Sequence, residues 1–293
     1  MKNIKNLQNY FSKELRWGWG VQQEIVFNFL LEVAKFSKGK IILDAGAGHQ
    51  RYKPFFKESL YLAMEHPEAG AVNKNIHHFD ILGDVKSIPL ESDSVDCVLS
   101  TSSLEHFKDP EGFFSEAFRI LKPGGSLFIH VPFVYPEHEI PFDFQRPTRY
   151  GLKRWYGDAG FENVFVKPTS TSIYTLTCFI ADAVIEGLGG LRKELNSKGL
   201  FSAIEFIYKK SYVRKYLIYY FFAKPVALIL PMLLEKIPNE NTIFPIGWVS
   251  SGKKQGIEQE NLNYNNKLEF LEKNILKNGL YTIQNGIIID ASH

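Results

Sequence analysis

The sequence contains very little cysteine. Cys97 and Cys178 are its only two cysteines, and two isolated thiols provide neither a disulfide framework nor the CxxC spacing of a zinc site. Sparse cysteine without disulfides is typical of a reducing compartment. We therefore predict two buried thiols and no bound metal ion.

An excess of charge of one sign is also lacking. The chain has 34 Lys and Arg against 32 Asp and Glu, a formal net charge of +2, and no basic stripe interleaved with aromatics, so nucleic acid is not an expected partner. Residues 1–15 contain no apolar core of a signal peptide. We expect a cytoplasmic globular protein, in keeping with a hydrophobic share of 45%.

Short apolar segments alternate with helix patterns between residues 40 and 168, which predicts an α/β fold with a mostly parallel sheet. A covering helix is expected at 21–36, and Asp109 and Thr148 are expected to cap two later helices. Strands are expected at 40–45, 59–64, 77–80, 94–100, 126–132 and 162–167, with a returning strand in 243–254. The predicted organisation is 1–37 as N-terminal covering helices, 38–170 plus 243–254 as the sheet domain, 171–242 as a helical insertion and 255–293 as a tail. Within the tail, GLYTIQNGIIID is a possible small strand.

A glycine turn follows the first predicted strand, where the sequence is IILDAGAGHQRY. Gly46 and Gly48 allow the backbone to bend close to a ligand, and a helix after the turn would favour an anion. Glu65 ends the second strand, where an acid can bind ribose hydroxyls. Arg51 occupies the third-glycine position of the dinucleotide fingerprint, which favours an adenosyl ligand without pyrophosphate over NAD.

Several motifs in order carry a family resemblance: ILDAGAG, Glu65, Asp84, and residues 94–132 with the stretch EHFKDP. Together they resemble the class I S-adenosylmethionine-dependent methyltransferases, in particular the small-molecule group with an EHxxDP stretch. The resemblance implies a Rossmann-like sheet of seven strands, the last antiparallel, with helices on both faces and S-adenosylmethionine at the carboxyl ends. By position it implies these contacts: Asp44, Gly46 and Gly48 with the methionine part, Glu65 with the ribose, Asp84 with the adenine, and Ser100 to Ser103 bordering the cofactor.

Candidate catalytic residues follow the fourth and fifth strands. Glu105 and His106 lie just past the fourth, and a Pro-rich loop after the fifth carries His138, Asp143 and Arg146. This loop resembles an HxxPxDxxRxT pattern of methyltransferases associated with bacterial surface-polysaccharide genes. We predict His138 as the general base, His106 and Asp143 as further catalytic candidates, and a small-molecule or glycan acceptor. Asp143 and Arg146 either grip a polar substrate or form a structural pair within the loop.

The predicted insertion contains an apolar run at 216–234 preceded by the basic segment 209–215. Peripheral contact of 209–236 with the inner face of a membrane, a helical lid and an oligomer contact all remain open. Trp19 either closes over the site as a substrate contact or packs in the core. The alternatives to a methyltransferase are an NAD-dependent oxidoreductase and a non-catalytic nucleotide-binding module acting through its insertion.

Overall fold

The computed structural model describes residues 20–69, 79–176, 242–256, 281–284 and 287–290. The chain divides into two compact units, one formed by Met1–Gln23 with Ser170–Ile246 and the other by Glu24–Thr169 with Gly247–His293. The second unit contains the whole sheet. Trp19, most of the predicted insertion and the segment 209–236 lie outside the described residues, so the predictions made for them stay predictions.

Three α-helices and nine strands lie within the described residues, and a further helical segment begins at 172. The helices are α1 (Gly20–Phe36), α2 (Pro110–Ile120) and α3 (Arg149–Asp158). The strands are β1 (Ile41–Ala45), β2 (Leu60–Glu65), β3 (Ile81–Leu82), β4 (Val95–Thr101), β5 (Leu121–Pro132), β6 (Glu162–Pro168), β7 (Gly247–Lys253), β8 (Tyr281–Gln284) and β9 (Ile287–Asp290). Short 3-10 turns occupy Lys53–Phe56 and Leu104–His106.

The strands form one mixed sheet in the order β6-β7-β5-β4-β1-β2-β3-β9-β8. β1 pairs in parallel with both β2 and β4, so the strand order reverses beside β1, and this is where open α/β sheets bind ligands. β7 runs antiparallel to both of its neighbours. The predicted Rossmann-like class, including its antiparallel returning strand, is confirmed.

Successive β1 side chains serve opposite faces of the sheet, as the period of a strand requires. Leu43 lies in a core cluster with Phe113 and Ala117 of α2, whereas Ile42 lies in a second cluster with Leu30 of α1. All five are buried. Helices therefore cover both faces, and the β1 backbone is held rigidly between them.

Predicted caps begin two of the helices. The Asp109 carboxylate accepts a hydrogen bond from the Gly112 N–H at 2.8 Å, and the Thr148 hydroxyl accepts one from Gly151 at 3.1 Å. Pro110 at the first helical position loses no hydrogen bond there. These local sequence signals fix where the chain turns back after β4 and β5.

The sheet has nine strands rather than the predicted seven. A hairpin of β8 and β9 pairs with itself and then adds β9 in parallel to β3, so part of the predicted tail extends the sheet. The third strand begins at Ile81, just after the predicted 77–80, and the side chain of the preceding residue, Asp80, accepts a hydrogen bond from the Ala63 N–H at 2.8 Å.

The predicted helix after the glycine turn is a second difference. Between β1 and β2 the described chain forms only the 3-10 turn Lys53–Phe56, with Pro54 at its start. Because the dipole and N–H groups of an α-helix are what hold a pyrophosphate, their absence from this described connection disfavours a dinucleotide further.

Candidate active site

The glycine turn at the end of β1 is tightly packed against the segment after β4. Gly46 has φ of +76°, and a Cβ there would lie 2.5 Å from the Ser103 Cβ. The Ser103 hydroxyl donates to the Gly46 carbonyl at 2.7 Å. Gly48 also has a positive φ, of +51°, but among the described residues a Cβ there would meet no atom within 4 Å. Gly46 therefore serves packing, while Gly48 borders open space where a ligand can approach.

Asp44 is buried at the end of β1 with one oxygen unsatisfied. Its Oδ2 accepts a hydrogen bond from the Tyr61 hydroxyl, whereas Oδ1 has no partner within the described part of the chain. Burial raises the pKa of Asp44 to about 7, against the Tyr61 hydrogen bond that lowers it, and the nearby Glu65 raises it further. A donor or cation from a ligand would satisfy Oδ1 and favour the charged carboxylate.

Glu65 ends β2 and holds the glycine turn in place. Its Oε2 accepts from the Gly48 N–H at 2.8 Å and its Oε1 from the His66 N–H at 2.9 Å. Burial raises the pKa of Glu65, and the negative charge of Glu139 raises it further, although the two N–H donors oppose this shift. Each oxygen keeps a second lone pair, so the carboxylate can still accept hydrogen bonds from a ligand.

The other two predicted cofactor residues differ in their surroundings. Asp84, after β3, accepts a hydrogen bond from the Lys86 N–H at 3.1 Å and lies 3.6 Å from its Nζ, which is the geometry of a turn. Ser100 in β4 is fully buried, and its hydroxyl has no partner among the described residues. The adenine and border roles remain predictions.

The segment leaving β4 is shaped by His130, a residue that the sequence analysis missed. Ser102 adopts a φ of +51°, and its hydroxyl hydrogen-bonds with the His130 Nδ1 at 3.0 Å. Burial lowers the pKa of His130 to about 4, so this ring is neutral. It supports the turn that carries Glu105 and His106. A single histidine inside an apolar strand gives no sequence signal of this role.

Glu105 lies beside His106 just past β4 and is a candidate that the sequence analysis named without a specific role. Its side chain is 1% exposed, and neither carboxylate oxygen has a partner of hydrogen-bond geometry in the described chain. Burial raises the pKa of Glu105 to about 8, while its own backbone N–H and Arg146 lower it. His106 Nε2 lies 3.9 Å and His138 Nε2 3.7 Å from Oε1. The structure thus brings both predicted histidines to one buried carboxylate.

Asp143 orders the loop after β5 around His138. Its Oδ2 accepts from the His138 N–H at 3.0 Å and lies 3.3 Å from the His138 Nδ1. The bidentate pair with Arg146, at 2.6 and 2.7 Å, lowers the pKa of Asp143 to about 2. The carboxylate is therefore charged and orients the imidazole.

The guanidinium of Arg146 donates its hydrogen bonds within the same loop. Besides Asp143, the guanidinium donates to the backbone carbonyls of Tyr135, Pro136 and Gln145. All five of its N–H groups are accounted for by these bonds, which favours the structural alternative for the Asp143–Arg146 pair. In this loop conformation no donor remains for an acceptor, and the predicted substrate-binding role stays untested.

The loop is also tied to Glu105 through the backbone. The Glu105 carbonyl accepts from the N–H groups of Phe144 at 2.7 Å and Gln145 at 3.1 Å. His106 Nδ1 hydrogen-bonds with the Phe142 carbonyl. These bonds link the β4 turn and the β5 loop into one structure, so the two halves of the predicted acceptor side form a single cluster.

Residues 43–129 match the family model described as a methyltransferase domain. This segment is similar to a methyltransferase domain. It runs from β1 into β5 and includes the glycine turn, Glu65, Glu105 and His106. The match confirms the predicted enzyme class and S-adenosylmethionine as its cofactor for this segment; the EHxxDP group and the polysaccharide-associated loop are not tested by it.

Two curated relatives carry methyltransferase names. The chain is 32% identical over 90 residues to 2-methyl-6-phytyl-1,4-hydroquinone methyltransferase of Arabidopsis thaliana, covering 29% of this chain and 26% of that protein. It is 30% identical over 118 residues to malonyl-[acyl-carrier protein] O-methyltransferase of Hahella chejuensis, covering 37% and 42%. The alignments span less than half the length of either relative, so the activity of the whole protein is a proposal.

Among solved structures, phosphoethanolamine N-methyltransferase 2 of Haemonchus contortus in complex with S-adenosyl-L-methionine is 17% identical. The alignment covers 82% of this chain and 53% of that chain, with a TM-score of 0.42. This likeness is too distant to indicate an acceptor. Within the described residues, no helix combines the length and apolar character needed to cross a membrane.

Proposed function

We propose that the protein transfers a methyl group from S-adenosylmethionine to an oxygen of a small-molecule or glycan-type acceptor. The observation that carries the proposal is Asp44: a buried carboxylate oxygen without a protein partner, at a glycine turn inside the methyltransferase-domain segment. A buried polar group of this kind is costly unless a ligand satisfies it. A cofactor that brings an amino group and a positive charge fits this requirement.

The cofactor contacts would divide among three strand ends. Asp44 would accept from the cationic methionine part, Gly48 would allow close backbone approach, and Glu65 would accept from the ribose hydroxyls through its remaining lone pairs. Asp84 would accept from the adenine amino group. When bound, the cofactor supplies a methyl group on a cationic sulfur, and the electron pair of the broken carbon–sulfur bond returns to that sulfur.

On the acceptor side, His138 would be the general base. Because Pro136 O can only accept, its contact with the His138 Nδ1 at 3.2 Å places the ring proton on Nδ1 and leaves the Nε2 lone pair available. The acceptor O–H proton would pass to Nε2 as the oxygen bonds to the methyl carbon, and the charged Asp143 would stabilise the resulting imidazolium. His106 is the second candidate for this proton.

The acceptor class rests on the loop. The relative of this chain from Hahella chejuensis is named as an O-methyltransferase. The loop presents exposed aromatic rings at Phe142 and Phe144, and α3, which follows it, presents Tyr150; such rings are suited to contact a sugar ring or an apolar acceptor. A role in surface-polysaccharide synthesis, with cytoplasmic or membrane-peripheral location through 209–236, is part of this proposal. An NAD-dependent oxidoreductase is disfavoured by Arg51 and by the 3-10 turn where a pyrophosphate-binding helix would stand.

The test is calorimetric titration with S-adenosylhomocysteine, with NAD as the comparison ligand. We expect S-adenosylhomocysteine alone to bind, and Glu65→Ala to weaken it by about 10- to 100-fold, the range of hydrogen bonds to a charged group. Glu68→Ala, an exposed acid three residues on, is the matched control and should bind normally. Binding of NAD alone, or of neither ligand, would overturn the proposal; the latter would leave the non-catalytic module.

A further inference from the structure

We propose that Glu105, His106 and His138 form a binding site for a divalent first-row transition ion such as Zn²⁺. One ligand atom from each of the three side chains lies within 4.8 Å of the other two. The site joins the turn after β4 to the loop after β5. The sequence contains no cysteine spacing typical of a metal site, which is why it predicts no bound metal ion.

The carboxylate of Glu105 lacks a partner that its burial requires. With 1% of the side chain exposed and neither oxygen hydrogen-bonded in the described chain, an ionised carboxylate here needs a cation close by. The guanidinium of Arg146, which influences Glu105 electrostatically, is already engaged by both oxygens of Asp143. A metal ion would supply the missing positive charge.

Both histidines point Nε2, the nitrogen that is free to bind a metal ion, toward the Glu105 carboxylate. His106 Nδ1 hydrogen-bonds with the Phe142 carbonyl and His138 Nδ1 with the Pro136 carbonyl. A carbonyl only accepts, so each Nδ1 carries a proton and each Nε2 carries the lone pair in the neutral ring. Metal-binding histidines usually have this second contact, which fixes the tautomer and the ring orientation.

The separations suit an ion better than direct hydrogen bonds. His106 Nε2 and His138 Nε2 lie 3.9 and 3.7 Å from Glu105 Oε1, beyond the N–H···O limit of about 3.2 Å. Ligand atoms around a tetrahedral zinc ion are roughly 3.3 Å apart, as its bond lengths require. Closing the set around an ion thus requires movements of about 1 Å or less per side chain.

The donor set selects the class of ion. Two imidazole nitrogens with one carboxylate favour Zn²⁺ and neighbouring transition ions, whereas Mg²⁺ and Ca²⁺ prefer oxygen ligands throughout. Three protein ligands also leave coordination positions open, as in catalytic rather than structural zinc sites. An acceptor oxygen could occupy such a position.

The ion's role, unlike its binding, rests on the proposed function. With an ion bound, the Nε2 of His138 is a ligand and cannot take a proton. Coordination of the acceptor hydroxyl would lower the pKa of that hydroxyl instead, and its proton would be released to water as the oxygen bonds to the methyl carbon. Metal-loaded and metal-free protein would therefore activate the acceptor differently.

The test uses the full chain, dialysed against a chelator and titrated with ZnCl₂ by calorimetry, with Co²⁺ absorption spectra as a second measurement. We expect one ion per chain. Glu105→Gln and His138→Ala should each weaken binding by at least about 100-fold, and the positioning variant Asp143→Asn by about 10-fold, the effect of losing an outer contact. The exposed His49→Ala and Glu137→Gln are matched controls that should bind normally.

Absence of saturable zinc binding would overturn the metal site, as would equal affinity in the cluster variants and the controls. Circular dichroism of each variant separates lost binding from lost folding. A parallel titration with S-adenosylhomocysteine keeps the two proposals apart. Cofactor binding without zinc binding refutes the metal site alone, whereas zinc binding without cofactor binding refutes the proposed function alone.

Discussion

Buried polar atoms at the amino ends of the parallel strands differ from those at the carboxyl ends in whether they have hydrogen-bond partners. At the amino ends, Asp96 of β4 accepts from the Ile41 N–H at 2.9 Å and pairs with the Lys122 Nζ at 3.1 Å, so it is fully satisfied. At and beyond the carboxyl ends, buried polar atoms lack partners among the described residues: Asp44 Oδ1, Ser100 Oγ, both Glu105 oxygens, His130 Nε2 and Thr169 Oγ1. The amino end therefore has a structural role, whereas the unpartnered atoms at the carboxyl ends are where we expect ligands to bind.

The largest effect should come from His138, because it is the proposed general base at the carboxyl ends of the strands. We expect His138→Ala to reduce the methyl-transfer rate by about 10²- to 10⁴-fold, the usual contribution of a general base. S-adenosylhomocysteine affinity and thermal stability should change little, since the side chain is 30% exposed. Rates come from transfer of a radiolabelled methyl group, and an unchanged rate would remove His138 from the site.

Asp96 should show the opposite behaviour. Asp96→Ala leaves the Lys122 ammonium and the Ile41 N–H without their buried partner, so we expect it to lower the free energy of unfolding by about 2–4 kcal/mol. Cofactor affinity should stay normal below the melting transition. Urea unfolding measures the first quantity and calorimetry the second; a cofactor defect in folded Asp96→Ala would break the distinction between the two ends.

Asp44 should make stability depend on pH. Its pKa is raised by burial to about 7, whereas an aspartate in the unfolded chain has a pKa of about 3.9, so the folded protein holds a proton that the unfolded chain releases. Its contribution to stability therefore falls as pH rises from about 4 to about 7. Asp44→Asn should be more stable than the natural protein by about 1–3 kcal/mol at pH 8 and equal to it near pH 4.

Cofactor affinity supplies the second half of that prediction. Asp44→Asn cannot become charged, so it should bind S-adenosylhomocysteine more weakly at pH 8, where the natural carboxylate is ionised. Urea unfolding at the two pH values and calorimetry at pH 8 measure both effects. A variant that is no more stable at pH 8 would show that the carboxylate is already satisfied by the protein.

Local signals in the sequence predicted the elements that depend on neighbours in the chain. The Asp109 and Thr148 caps, the glycine turn and the ends of most strands belong to this group. Features that depend on residues distant in the chain were missed or predicted only in part. Nothing near Glu105 indicates that the loop carrying His138 closes on it, and nothing near Arg146 shows that its own loop consumes every donor.

The errors of the sequence prediction have the same origin. The helix expected after the glycine turn follows from the polar pattern of the segment, whereas the structure has a 3-10 turn with Pro54 at its start. The possible strand predicted in the tail is a hairpin of two strands, β8 and β9, and its place beside β3 depends on a partner far away in the chain. Pairing partners and connection lengths are tertiary properties, which a local pattern does not encode.

The smallest effect should separate the two glycines of the turn. Both have positive φ, which costs a side chain roughly 1 kcal/mol, but only at Gly46 would a Cβ also collide with the Ser103 Cβ, at 2.5 Å. We expect Gly48→Ala to lower the free energy of unfolding by about 1 kcal/mol and Gly46→Ala to lower it by clearly more, as measured by urea unfolding. Because Gly48 borders open space, its variant should instead weaken S-adenosylhomocysteine binding more than its loss of stability explains. Equal stability losses would mean that both glycines serve packing. The proposal that a ligand binds beside Gly48 would then be wrong.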